Sequence, residues 1–337
     1  MQNINLEFPT APDLVEYLKK SQYAHNPVIK PKGNITTKYD LQQINIDPLQ
    51  PVCSTSGSTG VPLLIPKTPL SLLWHTATNV RELQWRKWNL NLIIVVILAR
   101  NKETTIYGNI HYIKMDSNQN LQKYLEQVQP HYIYTYPTIV SELDLTKLTN
   151  LIDIKSTGET GGTNYSSEEA GTIALQCYEY PEVYHIMENI IVENDPNYGI
   201  LVTDLTNPLI NRYALGDVIE LGNEPCKCGR TLPTITKIYG RLRNMLVLPN
   251  GDKIWPLIGE PRFRSITNKI IRHQAIQKTL NNIELRLQVS EKLTNIEESD
   301  LINLASSTLN YNHLSFTITY VDGFPNGKFE IFKSEVK

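Results

Sequence analysis

Apolar residues in the first half of the chain follow helical and strand-like spacings in turn. The helical spacing predicts helices over residues 13–20, 70–88 and 121–128. Short runs of β-branched and aromatic residues predict buried strands over 92–98 and 132–137. Because helices alternate with strands, the pattern predicts an α/β sheet with helices on its faces.

The pattern changes to short strands and turns after residue 190, which predicts a β-rich subdomain over about 186–243. Glycine, arginine and the turn sequence PNGD interrupt it over 240–256. The remainder predicts a small α+β domain with helices over 266–280 and 299–309 and strands over 283–290 and 315–321. We therefore expect a large domain over 1–243 and a small one over 244–337.

Composition restricts the class of protein. The chain has 337 residues, of which 41% are hydrophobic and 20% charged, and its net charge is -2. These values are typical of a globular protein and give no reason to expect nucleic acid or an anionic membrane as partner. The N-terminal sequence has no secretion-signal pattern, and the most apolar run, 90–99, is about half the length of a membrane span. We expect a cytoplasmic protein.

A loop rich in hydroxyl residues and glycine precedes the second predicted helix. It contains Thr55, Ser56, Gly57, Ser58, Thr59 and Gly60. The spacing of its glycines does not match the Walker pattern, and Val61 stands where that pattern requires lysine. Such a loop can bind phosphate through hydroxyl and N–H donors. An ordinary surface loop remains the alternative.

Several short segments, in this order, resemble motifs of the adenylate-forming superfamily, which includes acyl-CoA synthetases and peptide-synthetase adenylation domains. The segments are TSGSTGVP (55–62), STGET (156–160), YSSEEAGTIALQC (165–177), LVTDLTNPLINRYALGD (201–217), CKCGRTLPTITKIYGRLRN (226–244) and FPNGKFE (324–330). The Cys-x-Cys-Gly-Arg element is similar to that of the phenylacetate–CoA ligase branch and its capsule-synthesis relatives. The resemblance implies the fold of these enzymes, with a small mobile C-terminal lid.

The resemblance also implies roles for individual residues. Lys328 would be the catalytic lysine on the mobile lid, and Glu169 would hold Mg²⁺ against the phosphates of ATP. Asn244 would lie at the hinge. The implied nucleotide-binding residues are the loop 55–60 together with Gly158, Glu159, Tyr165, Ser166, Asp217 and Arg241. Among them Tyr165 would stack on adenine, and Asp217 would accept hydrogen bonds from the ribose.

The motifs also indicate an acyl pocket, and at two positions this sequence departs from the pattern of the family. Position in the motifs implies that Tyr134, Tyr136, Thr157 and Gly158 line the pocket, although the tyrosines could equally belong to a core strand. Ser166 replaces a glycine of the family, and Glu168 replaces a threonine expected at the α-phosphate. A charged first turn of a helix is the alternative interpretation of Glu168 and Glu169.

Three of the four cysteines form a candidate metal site with one histidine. Cys177, His185, Cys226 and Cys228 offer three thiolates and an imidazole, a set that completes a tetrahedral Zn²⁺ shell. Relatives in the branch can carry zinc at such positions, so the resemblance implies a structural metal. Buried reduced cysteines beside a core histidine are the alternative.

The sequence therefore predicts an acid–thiol ligase of biosynthesis. It would convert a carboxylic acid and ATP to acyl-AMP and pyrophosphate, then transfer the acyl group to CoA or to the pantetheine of a carrier protein. Homodimerisation remains open. The alternatives are a degenerate relative that binds nucleotide without catalysis and an adenylating acyltransferase with an amine or sugar acceptor.

Overall fold

The computed structural model describes residues 11–24, 29–47, 49–54, 63–98, 101, 103–114, 121–158, 161–254, 256, 263, 265–309, 314–324 and 331–336. These residues form two compact units. The first comprises Met1–Leu215 and Ile219–Ile238, and the second comprises Gly216–Val218 and Tyr239–Lys337. None of the helices in these ranges is long and apolar enough to cross a membrane.

The N-terminal part of the first unit contains three helices and a small hairpin. The helices are α1 (Ala11–Ser21), α2 (Lys38–Gln42) and α3 (Pro69–Trp85), and the antiparallel hairpin consists of β1 (Val52–Ser54) and β2 (Leu64–Pro66). Helix α3 begins at a proline after Thr68, whose hydroxyl accepts a hydrogen bond from the N–H of Ser71. Apolar side chains of α1 and α3 pack together, so these two helices share a small core.

A five-stranded sheet follows, with its central strands parallel. Its elements are β3 (Ile94–Ile97), β4 (Thr105–Tyr107), β5 (Ile110–Ile113), α4 (Leu121–Val128), β6 (Tyr132–Thr135), α5 (Pro137–Glu142), a 3₁₀ turn (Leu145–Lys147) and β7 (Asp153–Ser156). The strand order is β4-β5-β3-β6-β7, with only β4 antiparallel to its neighbour. Strand β3 is buried along its whole length because apolar clusters cover both faces of the sheet.

The remainder of the first unit is built from antiparallel strands. They are β8 (Asn164–Ser167), β9 (Gly171–Gln176), β10 (Tyr184–Ile186), β11 (Ile190–Asp195), β12 (Gly199–Asp204), β13 (Tyr213–Ala214), β14 (Asp217–Leu221) and β15 (Thr234–Arg241). They form one sheet in the order β14-β15-β10-β9-β8 and a second in the order β11-β12-β13. The division between the units falls within β14 and β15. The apolar residues of both sheets share the largest core cluster.

In the described part of the second unit there are a four-stranded sheet and one long helix. Its elements are a 3₁₀ turn (Leu242–Asn244), the hairpin β16 (Leu246–Val247) and β17 (Lys253–Ile254), β18 (Ile270–Thr279), β19 (Asn282–Val289), α6 (Asn295–Leu309), β20 (Ser315–Tyr320) and β21 (Phe332–Ser334). The sheet has the order β20-β19-β18-β21. Leu285 of β19, Leu301 of α6 and Phe332 of β21 belong to a core of its own.

The predicted mixed α/β fold is confirmed, but two element predictions were wrong. Residues 270–279 form strand β18, whereas a helix was predicted over 266–280. Register shifts lie near both ends of the strand, and burial falls on Ile270, His273, Ala275, Ile276 and Gln277, so the strand lacks the strict alternation that would have distinguished it from a helix. Pro137 begins helix α5 rather than ending a strand.

Candidate active site and metal centre

The carboxyl ends of the parallel strands bring predicted site residues to one edge of the sheet. Strand β6 pairs in parallel with both β3 and β7, so the three strands end at the same side. Tyr136 follows β6, and Thr157 and Gly158 follow β7. This edge is where ligands bind in open α/β sheets.

Gly158 and Tyr136 approach each other closely. Gly158 has a φ of +80°, and a Cβ built on it would lie 3.2 Å from Cε1 of Tyr136. Both the left-handed backbone and the short approach favour glycine at this position. Two residues predicted to line the site are therefore adjacent, and a larger residue at 158 would displace the tyrosine ring.

Asn164 links the two motifs and was missed from the sequence. Its Oδ1 accepts hydrogen bonds from the hydroxyl of Thr157 at 2.7 Å and from that of Ser166 at 3.3 Å. Asn164 is buried, so this bridge is sheltered from solvent. The sequence offered one indication of this role. Asn164 lies two residues before Ser166, and residues two apart on a strand lie on the same side.

Tyr165 lies in the apolar core of the first unit. Its side chain is only 9% exposed, and its backbone pairs with Ala174 in the neighbouring strand. A ring this deeply buried has little surface on which a base could stack. Adenine stacking on Tyr165 stays a prediction.

Glu168 and Glu169 occupy the turn of the hairpin β8–β9, which excludes the alternative of a helical first turn. The buried ammonium of Lys67 donates to the backbone carbonyl oxygens of Glu168 at 2.7 Å and Glu169 at 2.9 Å. The hydroxyl of Tyr213 donates to Oε1 of Glu169 at 3.2 Å. The turn that carries the predicted Mg²⁺ ligand is thus anchored at its backbone and at its carboxylate.

Tyr134 contacts a buried ion pair. The Nζ of Lys155 lies 4.4 Å from the centre of the Tyr134 ring and 2.7 Å from Oε2 of Glu82. Lys155 and Glu82 are almost completely buried. The charge of Lys155 is therefore balanced by the carboxylate and also stabilised by the aromatic face.

Asp217 and Arg241, which are distant in sequence, meet within the second unit. The backbone N–H of Leu242 donates to the carbonyl oxygen of Gly216 at 2.7 Å, which holds the two segments side by side. Arg241 Nε then lies 2.9 Å from Oδ1 of Asp217. The guanidinium would orient this carboxylate if it accepts hydrogen bonds from a ribose.

Asn244 ends the 3₁₀ turn that follows Arg241. Its Oδ1 is buried and accepts no hydrogen bond from the described residues. The hinge role stays a prediction. The remaining predicted residues, namely loop 55–60, Glu159 and Lys328, lie outside the described residues.

The four predicted metal ligands come together in the first unit. Cys177 follows β9, His185 lies in β10, and Cys226 and Cys228 lie between β14 and β15. Their ligand atoms all lie within 4.8 Å of one another. The sulfurs of Cys226 and Cys177 are 3.9 Å apart, and the sulfur of Cys228 is 3.4 Å from Nε2 of His185.

The sulfur–sulfur distance of 3.9 Å and the sulfur–nitrogen distance of 3.4 Å fit a tetrahedral zinc shell. Zinc–sulfur bonds of about 2.3 Å and zinc–nitrogen bonds of about 2.0–2.1 Å place two sulfur ligands about 3.8 Å apart and a sulfur–nitrogen pair about 3.5 Å apart. Three sulfurs and one imidazole nitrogen are also ligands that Zn²⁺ prefers. The cluster is therefore compatible with zinc in both chemistry and spacing.

Burial sets the protonation of these groups in the protein without metal. It raises the pKa of the Cys226 thiol to about 12 and also raises that of Cys177. Burial, followed by the charge of Arg230, lowers the pKa of His185 to about 4, so the imidazole is neutral. Burial would raise the pKa of the Cys228 thiol, but hydrogen bonds from the backbone of Arg230 and from Cys226 outweigh it, and the pKa of this thiol is lowered. Metal binding would release thiol protons.

Comparison with known proteins gave one curated relative. A segment of 137 residues is 30% identical to phenylacetate–coenzyme A ligase of Thermus thermophilus. It covers 35% of this chain and 30% of that ligase. No protein-family model matches the chain.

Solved structures resemble the chain over most of its length. A crystal structure of 2-hydroxyisobutyryl-CoA ligase in the postadenylation state with 2-HIB-AMP matches with a TM-score of 0.65 and 13% identity, covering 91% of this chain and 80% of that one. ATP-bound MatB from Rhodopseudomonas palustris matches with a TM-score of 0.57 and 12% identity, covering 84% of this chain and 65% of that one. The predicted resemblance is confirmed: the chain has the fold of these acyl-CoA ligases and, over part of its length, is similar in sequence to phenylacetate–coenzyme A ligase.

Proposed function

We propose that this chain activates a carboxylic acid with ATP and transfers the acyl group to a thiol. One observation carries the proposal. Two separate segments that resemble motifs of adenylating enzymes, STGET and YSSEEAG, meet at the carboxyl edge of the parallel sheet, where Asn164 joins them. The fold is shared with ligases that bind ATP or acyl-AMP. The edge is where such a fold binds its ligands.

The reaction would proceed in two steps. A carboxylate oxygen attacks the α-phosphorus of ATP, and the bond from that phosphorus to the pyrophosphate oxygen breaks. The thiol sulfur then attacks the acyl carbon, the thiol loses its proton, and AMP leaves. Activation is needed because a free carboxylate is a poor electrophile.

Named residues would perform this chemistry. Lys328 would offset the negative charge that develops during attack on phosphorus. Glu169, held by Tyr213, is the residue we propose to hold Mg²⁺, which would neutralise phosphate charge. Asp217, oriented by Arg241, would accept hydrogen bonds from the ribose hydroxyls.

Pyrophosphate exchange into ATP, dependent on an added acid, tests the first step. The acid panel should include phenylacetate and 2-hydroxyisobutyrate, which are named by the relatives. It should also include further aromatic and medium apolar acids, because Tyr134 lies in β6 and Tyr136 follows that strand at this edge. We expect exchange with at least one acid, and Lys328→Ala should lower it by about 100-fold or more. Lys333→Ala is the matched control, since Lys333 forms an ion pair with Glu335.

ATP binding without exchange across the panel would refute this proposal and favour a nucleotide-binding relative without catalysis. Where exchange occurs, product analysis with CoA, a pantetheinylated carrier protein, amines and sugars identifies the acceptor. A thioester product supports the proposal; an amide or sugar ester would replace its second step.

We also propose that Cys177, His185, Cys226 and Cys228 hold a structural Zn²⁺. A shell of four protein ligands leaves no position for substrate, so the metal would stabilise the β-rich part of the first unit. The thiols must stay reduced to bind it, which agrees with a cytoplasmic location. We expect about one zinc per chain by elemental analysis and a loss of most of it in Cys226→Ser. Zinc far below one per chain in protein purified without chelator would refute the site.

A further inference from the structure

The charge of the proposed zinc centre requires a partner. Three thiolates and a neutral imidazole around Zn²⁺ give the centre a net charge of -1. Cys177, His185 and Cys226 are buried, with side-chain exposures of at most 8%. Burying an uncompensated charge is costly, so a cation near the sulfurs would stabilise the loaded form.

Arg230 is a buried cation in contact with the cluster. It is 6% exposed, and its Nη1 lies 3.9 Å from the sulfur of Cys177. Its guanidinium lies over the ring of Trp85, 4.3 Å from the ring centre. This contact fixes the plane of the guanidinium group. The side chain is therefore held in one position beside a thiol ligand.

Other charges near Arg230 leave its positive charge available to the sulfurs. Glu179 Oε1 lies 3.4 Å from Nη1, but its side chain is 53% exposed and borders an open cavity of about 180 Å³. Solvent screens such a carboxylate. The neighbouring guanidinium of Arg81 makes two hydrogen bonds to Glu188, at 2.6 and 2.8 Å, so these two charges already balance each other.

Gln22 connects Arg230 to the end of helix α1. Its side-chain oxygen accepts hydrogen bonds from Nε of Arg230 at 3.2 Å and from Nε1 of Trp85 at 2.9 Å. Its backbone oxygen accepts from the N–H of Thr231 at 2.9 Å. The segment that follows the two clustered cysteines is thus attached directly to the end of α1.

We propose that Arg230 is a positioning residue that balances the charge of the metal–thiolate centre and, through Gln22, links metal loading to the docking of α1. The inference rests on the proposed zinc site. It assigns to the arginine of the Cys-x-Cys-Gly-Arg segment a role distinct from metal ligation and from the adenylation chemistry.

Zinc release into a coloured chelator tests the proposal on the full chain. We expect Arg230→Gln to release zinc about 10-fold faster or more, the size of effect typical of outer-shell partners. Arg230→Lys should be intermediate, because it keeps the charge but loses the planar fork. Arg212→Gln, which removes an arginine paired with Glu193 elsewhere in the first unit, should release zinc at the wild-type rate.

Glu179→Gln gives a second test that leaves all buried residues unchanged. The exposed carboxylate is screened only in part, so removing it should slow zinc release by about twofold to fivefold. Amide exchange over residues 18–24 supplies the independent readout. Protection there should fall when zinc is removed from the wild type and should already be low in zinc-loaded Arg230→Gln.

The outcomes separate the two proposals. Failure of the wild type to bind Zn²⁺ or Co²⁺ with one-to-one stoichiometry would refute the metal site itself. A wild type that binds zinc, with Arg230→Gln and Glu179→Gln both releasing it at the wild-type rate, would refute the role of Arg230 alone. Exchange at residues 18–24 that is independent of zinc would refute the link to α1.

Discussion

His273 is a buried base in the core of the second unit. It is 3% exposed, its ring lies 4.7 Å from that of Phe263, and its Nε2 has no hydrogen-bond partner among the described residues. Burial lowers the pKa of His273 to about 4. The folded protein therefore keeps this imidazole neutral over a pH range in which an unfolded histidine, with a pKa of about 6.5, takes up a proton.

This difference predicts an acid sensitivity of the second unit. Above pH 6.5 the His273 imidazole is neutral in both the folded and the unfolded state, so it does not lower the free energy of unfolding. As the pH falls from about 6.5 to about 4, only the unfolded state binds the proton. The free energy of unfolding should fall by about 3 kcal/mol over this window because of His273 alone. Urea unfolding at a series of pH values, followed in the second unit, measures the loss.

Substitution identifies the source of that loss. His273→Leu should flatten the pH dependence between 6.5 and 4, whereas His111→Gln, in the first unit, should leave it unchanged. An equally steep dependence in His273→Leu would contradict the assignment.

At the scale of elements, helix α3 joins the parts of the first unit through buried ion pairs. Arg81 lies 2.6 Å from Glu188. The next residue, Glu82, lies 2.7 Å from Lys155 of strand β7. At the end of the helix Arg86 lies 2.7 Å from Asp153, also in β7. These contacts fix the helix against the strand that leads into Thr157 and Gly158.

Removing one partner of such a pair should be strongly destabilising. Glu82→Gln leaves the ammonium of Lys155 buried without its counter-charge, and we expect it to lower the free energy of unfolding by about 3–5 kcal/mol. The double variant Glu82→Gln/Lys155→Met should recover much of this loss, since no charge stays buried. Chemical unfolding of the first unit measures both.

A matched pair on the surface supplies the control. Glu126 lies 3.6 Å from the exposed Lys147, and Glu126→Gln should change stability by less than about 1 kcal/mol. An equal effect of Glu82→Gln and Glu126→Gln would contradict a special role for the buried pair.

At the scale of the whole molecule, all four proposed zinc ligands belong to the first unit, while the second unit has its own core. Chelation should therefore lower the unfolding temperature of the first unit only. At free zinc of about 100 times Kd the metal stabilises by about 2.7 kcal/mol, so we expect a fall of roughly 5–10 °C on its removal. Calorimetry with and without chelator measures the shift. A second unit that shifts equally, or a first unit that does not shift, would contradict the assignment.

Features that are encoded locally could be predicted before the structure was known. Helical spacing predicted α1, α3, α4 and α6, and β-branched and aromatic runs predicted the central strands of the parallel sheet. Residue chemistry predicted the four metal-ligand candidates, which the fold brings together. The helix and strand predictions succeeded because periodicity is a property of short segments, whereas metal binding by the four clustered residues stays a prediction.

The contacts between groups that are distant along the chain became visible in the folded protein alone. Lys67 follows a loop that resembles a phosphate cradle, yet its ammonium is bound to the carbonyl oxygens of Glu168 and Glu169. The bridge at Asn164 and the contact between Arg230 and Cys177 were likewise not visible in the sequence. Such contacts escape prediction because the charge balance and hydrogen bonding of a buried group depend on neighbours that folding brings from remote segments, whereas periodicity indicates only which side of an element is buried.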